Sequence, residues 1–323
     1  MKTFKVGKDD NLKRLDKFML KVCPKLPQTL LYKYIRLKRI KLNGARAKND
    51  TRLKEGDIIE AYINDEFFES DRPKYDFLGA SDKLSIVYED QNIIIADKPQ
   101  GLLSHPDNKE FCDTLIGRIH RYLYEKGEYD PEKSQSFTPS LANRIDRNTG
   151  GIVLAAKNAE ALKILCEKIK NREIDKRYLA VVHGTPKPKS AVLEGFLEKN
   201  ESKNKVYLSN KKTEKNLTVK TKYTVLAEKN NLSLIEIELL TGRTHQIRAH
   251  MASIGHALLG DGKYGKLKED KKIGFNKQAL YSYRITFSFK TDAGILNYLK
   301  DKTFTVKSVY FAEQLFGASL DKI

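Results

Sequence analysis

The chain has 323 residues, with 60 Lys plus Arg against 42 Asp plus Glu and a formal net charge of +18. That length supplies about two domains, and an apolar fraction of 40% is enough for a buried core, so wholesale disorder is excluded. No apolar run nears the ~20 residues that span a bilayer, no secretory signal follows the basic start, and Cys23, Cys112 and Cys166 are too scattered for a disulfide framework or a cysteine zinc site, which fits a cytoplasmic protein.

From about Leu12 the chain predicts two short amphipathic helices. Leu12, Leu15, Phe18, Met19 and Val22 recur at helical spacing until Pro24 and Pro27 break the pattern. Leu30, Leu31, Tyr34, Ile35 and Leu37 form the second. Ile40-Lys41-Leu42 then enters an Asn43-Gly44 turn, and Ile58 to Ile63 follows the Gly56-Asp57 turn, so two strands are expected there.

Positive charge is concentrated in this region. Between Gln28 and Lys54 stand Lys33, Arg36, Lys38, Arg39, Lys41, Arg46, Lys48, Arg52 and Lys54, opposed by Asp50 alone, with Tyr32 and Tyr34 interleaved. A solvated helix face usually mixes both signs, so this pattern reads as a phosphate footprint. Arg14-Leu15-Asp16-Lys17-Phe18, Arg39 to Gly44 and Gly56 to Ile59 together resemble the small S-four-type RNA-binding domain. A small hydroxyl residue usual in that domain is missing near Gln28. The acidic stretch holding Asp65, Glu66, Glu69, Asp71, Pro73, Asp76 and Gly79 reads as a linker.

Beyond it, strands are expected at Ile86–Tyr88, Ile93–Ala96, Ile152–Ala156, Tyr178–Val182 and Ile285–Phe289. A long hairpin is expected from Leu217 to Leu240 around Asn230-Asn231. Helices are predicted at Cys112–Glu125, at Ala159–Lys170 behind an Asn158 cap, and at Thr244–Ser253. The stretches Lys199–Lys215 and Lys263–Lys277 read as lysine-rich loops.

Several chemistries are unsupported. The chain has no phosphate-cradling G-x-x-x-x-G-K-[ST], no G-x-G-x-x-G between a strand and a helix, no H-E-x-x-H and no G-x-S-x-G. His245, His250 and His256 fit no usual zinc spacing. The most informative segment is Asn143-Arg144-Ile145-Asp146-Arg147-Asn148-Thr149-Gly150-Gly151, which drops at once into an apolar strand. An ionised carboxylate between two arginines on a turn can serve as nucleophile or base; it can equally be a structural ion pair that pins the turn. Lys176-Arg177-Tyr178 puts an aromatic residue at a strand start. Thr241-Gly242-Arg243-Thr244-His245-Gln246-Ile247-Arg248 loads a strand exit and helix start with hydrogen-bond donors.

These three segments, together with Asp97 to Pro106 and Gly255 to Asp261, occur in the order found in the RluA-type RNA pseudouridine synthases, which the chain closely resembles from Leu84 to about Phe316. Asn143, Ile145, Gly150 and Ala257 depart from the residues usual at their positions; Asp146 does not. The resemblance implies an α+β architecture: the pseudouridine synthase fold, a mixed, largely antiparallel sheet with flanking helices, preceded by a small α/β RNA-binding domain. It implies residues 1–64 as that domain, 65–83 as linker and 84–323 as catalytic domain. It also implies isomerisation of uridine in RNA without cofactor or metal. Asp146 would be the catalytic carboxylate, Tyr178 would stack on uracil and assist proton transfer, and Arg243 would pair with Asp146. Arg144 and Arg147 would contact RNA beside the flipped nucleotide, and Lys33, Arg36, Lys38, Arg39, Lys41, Arg46 and Lys48 would grip it further away. A large structured RNA, ribosomal RNA of the large subunit, is the expected partner of a monomeric enzyme. The alternatives are a transfer RNA substrate or a non-catalytic RNA-binding factor in ribosome assembly.

Overall fold

Four short strands, β1 (Lys2–Lys5), β2 (Ile40–Leu42), β3 (Ala45–Arg46) and β4 (Ile58–Ala61), form an antiparallel sheet in the order β1-β4-β2-β3. The computed structural model in which they lie describes residues 1–69, 75–133, 136–200, 205–209, 211–214 and 216–320. Helices α1 (Leu15–Val22) and α2 (Gln28–Arg36) pack on this sheet through Leu15, Phe18, Met19, Leu31 and Ile35, all fully buried or nearly so. Their three-to-four spacing is the apolar stripe read in the sequence. Asn43 and Gly44 both adopt left-handed angles, as a two-residue hairpin turn between β2 and β3 demands. Strand β1 has no counterpart among the expected elements. It is an edge strand in which only Phe4 escapes full exposure, so it carries almost no apolar signal.

The remaining strands belong to one eleven-stranded sheet. In chain order they are β5 (Ile86–Glu89), β6 (Ile93–Lys98), β7 (Ser140–Leu141), β8 (Gly150–Ala156), β9 (Asp175–His183), β10 (Ser190–Asn200), β11 (Lys205–Ser209), β12 (Leu217–Lys229), β13 (Leu232–Leu239), β14 (Leu280–Thr286) and β15 (Thr303–Thr305). The main path runs β11-β10-β12-β13-β9-β14-β8-β6-β5, with β7 on β8 and β15 on β14, and only the β8–β14 pairing is parallel. The helices are α3 (Leu115–Glu125), α4 (Ala159–Lys170), α5 (Gln246–Ser253), α6 (Leu267–Asp270) and α7 (Tyr310–Phe316).

Both faces of the central strands are buried. On β8, Ile152 and Leu154 enter one core while Val153 and Ala155 enter the other; on β9, Leu179 and Val181 oppose Tyr178, Ala180 and Val182. This is why these strands read as continuous apolar runs rather than alternating ones. Residues of α4 and α7 cover the first face, and those of α3 and α5 cover the second. The second face carries the candidate site.

Several expectations shift. The predicted hairpin is present, with Asn230 and Asn231 at its left-handed turn. The strand expected at Ile285–Phe289 lies earlier, at β14, because Phe287 and Phe289 are buried in the core after the ladder has ended. Helices α3 and α5 begin later than predicted, at Leu115 behind a Thr114 cap and at Gln246. The stretch Lys199–Lys215, expected as loop, contains the end of β10 and all of β11. Its lysines obscured a hairpin whose Val206 and Leu197 are buried; residues 201–204, 210 and 215 of it lie outside the described set. The span expected as linker contains two short 3-10 turns, and Phe77 packs edge-on to His120 and Tyr124 in the large core. Residues 70–74 of that span, Asp71 and Pro73 among them, lie outside the described residues. The small sheet's unit touches the large one where Asp9 accepts a hydrogen bond from the Ala159 backbone at 3.1 Å, at the first turn of α4. Among the described residues no helix is long and apolar enough to cross a membrane.

Candidate active site

The loop between β7 and β8 is tied down on both sides of Asp146. Asn143 accepts a hydrogen bond from the Leu154 backbone at 2.8 Å, so this departure from the usual residue has a definite job in anchoring the loop. Ser104 donates to the Ile145 carbonyl at 3.0 Å. Gly101 N–H donates to the Arg147 carbonyl at 2.8 Å, and the Gly101 carbonyl accepts from Arg147 Nε at 2.9 Å. Lys98 is fully buried and directs its ammonium at three carbonyls, those of Leu102 (2.7 Å), Pro99 (3.0 Å) and Arg147 (3.1 Å). Burial pushes this lysine down to about 7, with the Asp146 charge opposing the shift. At the loop exit Gly151 has φ +109°, and a Cβ there would lie 2.2 Å from the Ser282 carbonyl oxygen, so only glycine allows β8 to approach β14 so closely.

Asp146 itself is held by a chain of charges. Arg248 Nη1 lies 3.3 Å from Asp146 Oδ2, while Arg248 Nε and Nη2 each donate at 2.7 Å to the two oxygens of Asp261. Asp261 also accepts from the backbone of Lys263 at 2.8 Å and of Tyr264 at 3.1 Å. Burial opposes the charge on Asp261, but the guanidinium fork outweighs it and keeps the carboxyl below its ordinary range. Burial likewise acts against Arg248, and its two carboxylates hold its pKa above the ordinary value. The fork therefore fixes Arg248 on Asp261 and leaves one edge aimed at Asp146.

This corrects the expected pairing of Arg243 with Asp146. Arg243 is exposed and among the described residues forms no ion pair; its backbone N–H donates to Gln246 Oε1 at 3.1 Å. It leaves β13 in an exposed turn, whereas Arg248 lies inside α5, a helix whose first six residues are all buried. A sequence signal was available: an arginine among Ile247, Ala249 and Met251 in a buried helix requires a carboxylate partner, and Asp261 follows shortly after.

Around this chain stand Tyr178, His245 and Tyr264. Tyr178 is 5% exposed on β9; burial pushes its phenol up to about 12, and the Asp146 charge adds to the effect. His245 Nε2 lies 3.7 Å from Asp146 Oδ2 and its Nδ1 lies 3.2 Å from the Tyr264 hydroxyl. Its left-handed φ of 53° is a strained conformation for histidine, held by the start of α5. Burial lowers its pKa, with Asp146 partly opposing, so His245 favours the neutral form. Lys205 and Arg248 stand over the Tyr264 ring, at 5.6 and 5.3 Å from its centroid. Arg144 and Arg147 are exposed on the Asp146 loop. Among the described residues no group of three or more His, Cys, Asp or Glu side chains could hold a metal ion.

The basic residues of the small sheet's unit form a separate surface. Lys33, Arg36, Lys38, Arg39, Arg46 and Lys48 are exposed and Lys41 is half-buried, and among the described residues none of them forms an ion pair. Arg39 lies over the Tyr34 ring at 5.1 Å and Lys41 over Tyr62 at 5.3 Å.

Residues 92–253, which contain Asp146, Tyr178 and Arg248, match the RNA pseudouridylate synthase family. The chain is 33% identical over 290 residues to an RNA pseudouridine synthase of Mycoplasma genitalium, covering 88% of each protein. The chain belongs to the RNA pseudouridine synthase family. It is also 30% identical to the ribosomal large subunit pseudouridine synthase C of Haemophilus ducreyi, over 88% of this synthase and 87% of that one. Among solved structures, human RNA pseudouridylate synthase domain containing 1 shares the fold, with a TM-score of 0.53 and 20% identity over 65% of this synthase and 81% of that chain. The mixed, mostly antiparallel sheet with flanking helices is thus the pseudouridine synthase fold expected from the sequence.

Proposed function

We propose that this synthase isomerises specific uridines of large-subunit ribosomal RNA, with Asp146 as its catalytic carboxylate, acting as a cytoplasmic monomer. The observation that carries the catalytic reading is the Asp261–Arg248–Asp146 chain. A half-exposed carboxylate is presented on a pinned loop by a buried arginine that is itself fixed by a second carboxylate. Such a group can act at the anomeric carbon of a bound uridine. The bond from C1′ to ring nitrogen N1 breaks, the uracil turns, C5 bonds to C1′, the C5 proton leaves and N1 gains a proton. Tyr178, kept protonated by burial, supplies a ring for the uracil to stack on and a hydroxyl for proton transfer. Arg144 and Arg147, exposed beside Asp146, would hold the strand from which the uridine is extruded. Arg243, exposed at the strand exit, would act at the same rim rather than on Asp146.

Residues 1–64 would act as an S-four-type RNA-binding domain, with Lys33, Arg36, Lys38, Arg39, Lys41, Arg46 and Lys48 as its phosphate-facing surface. Their lack of internal ion pairs among the described residues supports this, since unpaired exposed cations are available to a polyanion. The relatives named as ribosomal large subunit synthases support the choice of RNA. The reaction releases the C5 hydrogen, so tritium release from RNA labelled at uridine C5 measures it directly. Release is expected from a large-subunit ribosomal transcript. Release from a transfer RNA transcript alone would overturn the substrate, and full release by Asp146→Asn would overturn the catalyst.

A further inference from the structure

Ser282 on β14 is 1% exposed, and its hydroxyl has no hydrogen-bond partner among the described residues. Such an orphan is uncommon, because a buried hydroxyl left unpaired destabilises the folded state. Its location is specific. In the antiparallel pairing of β9 with β14, Ser282 stands directly opposite Tyr178, so the two side chains share the face that carries the active site. The ladder slips immediately after it, between Ser282 and Arg284. The backbone of Ser282 is also the surface against which Gly151 is pressed, five residues after Asp146. One residue therefore abuts both the Asp146 loop and the tyrosine. The two hydroxyls are neighbours that fall short of hydrogen-bond geometry, and Ser282 counteracts part of the effect of burial on the phenol.

We propose that Ser282 is a positioning residue for Tyr178. When uracil settles on the ring, the Ser282 hydroxyl donates to the phenol oxygen, and the phenol's own proton is thereby turned away from Ser282 and toward the bound base. The orphaned donor of the free enzyme is then a hydrogen bond held in reserve for the substrate-bound state. A donor to the phenol oxygen strengthens as negative charge builds there during proton transfer, so the bond is worth more in the transition state than in the bound ground state and raises turnover rather than affinity. This inference rests on the proposed role of Tyr178.

The test is a double-mutant cycle by tritium release under single-turnover and steady-state conditions. Ser282→Ala is expected to lower kcat about tenfold with KM unchanged, the effect of removing one hydrogen bond from the reacting complex. Ser282→Thr, which keeps the hydroxyl, should restore most of the activity, and in a Tyr178→Phe background Ser282→Ala should cost nothing further. Thermal unfolding of each variant checks that the fold is intact. If Tyr178→Phe is impaired while Ser282→Ala is fully active, or if the two losses multiply, the positioning role is overturned and that of Tyr178 stands. If Tyr178→Phe is fully active, the role of Tyr178 falls and the positioning role falls with it.

Discussion

Arg248 is 5% exposed and directs its donors at two carboxylates, whereas Lys33, Arg36, Lys38 and Arg39 stand exposed with no ion pair among the described residues. The first arrangement builds geometry. A buried guanidinium must be paired, and its fork orients whatever carboxylate it meets. The second leaves charge free for a partner and builds nothing inside the protein. In the proposed function the two regions would divide the chemistry of one enzyme: α5 would fix the reacting carboxylate, and the α2–β3 segment would attract a polyanion.

That comparison can be broken at several points. Arg248→Ala should have the largest effect, at least about a hundredfold in kcat, together with about 3–5 kcal/mol of stability, because it strands Asp261 in the core. Arg243→Ala should cost about tenfold or less and leave the urea midpoint in place. If the two variants exchange these behaviours, Arg243 is the partner of Asp146 after all. Replacing Lys33, Arg36, Lys38 and Arg39 together by Ala should weaken RNA affinity without moving thermal unfolding. The slope of log affinity against log salt should fall by about 0.7–0.9 for each phosphate that the variant no longer neutralises. An unchanged slope would make that face merely solvated. An effect on stability alone, with no bearing on turnover, concerns His250, which burial pushes down to about 4. The unfolded histidine binds its proton near about 6.5, so between about pH 6.5 and 4 the unfolded chain holds more protons. Stability should therefore be full above about pH 6.5 and fall by roughly 3 kcal/mol as pH drops to about 4. His250→Gln should flatten that limb in urea titrations, and an unchanged limb would show that His250 is not its source.

Much of the fold was legible because burial leaves period and caps in the sequence. Helix α4 begins and ends as read, with Asn158 accepting from the Ala161 backbone at 2.8 Å, and the Asn230-Asn231 hairpin is where the alternation placed it. Strands β1, β10 and β11 were missed because edge strands and a lysine-rich hairpin bury too few residues to show a pattern. At the site, motifs singled out Asp146 and Tyr178, and the apolar setting of Arg248 marks it as needing a carboxylate, but does not show that Asp146 is one of those it meets. Arg243 and Arg248 lie five residues apart, and which one faces the sheet depends on where α5 starts, a boundary set by the left-handed His245 rather than by periodicity. Ser282 gave no signal at all, since a serine in a strand becomes informative only once its cross-strand neighbour is known.

The most direct test of the central claim is a pseudouridine map of total RNA from cells carrying the natural chain or Asp146→Asn as their sole copy. Loss of one or a few pseudouridines from large-subunit ribosomal RNA in the Asn strain, with protein level and RNA binding unchanged, is the predicted result. An identical map in both strains would contradict it.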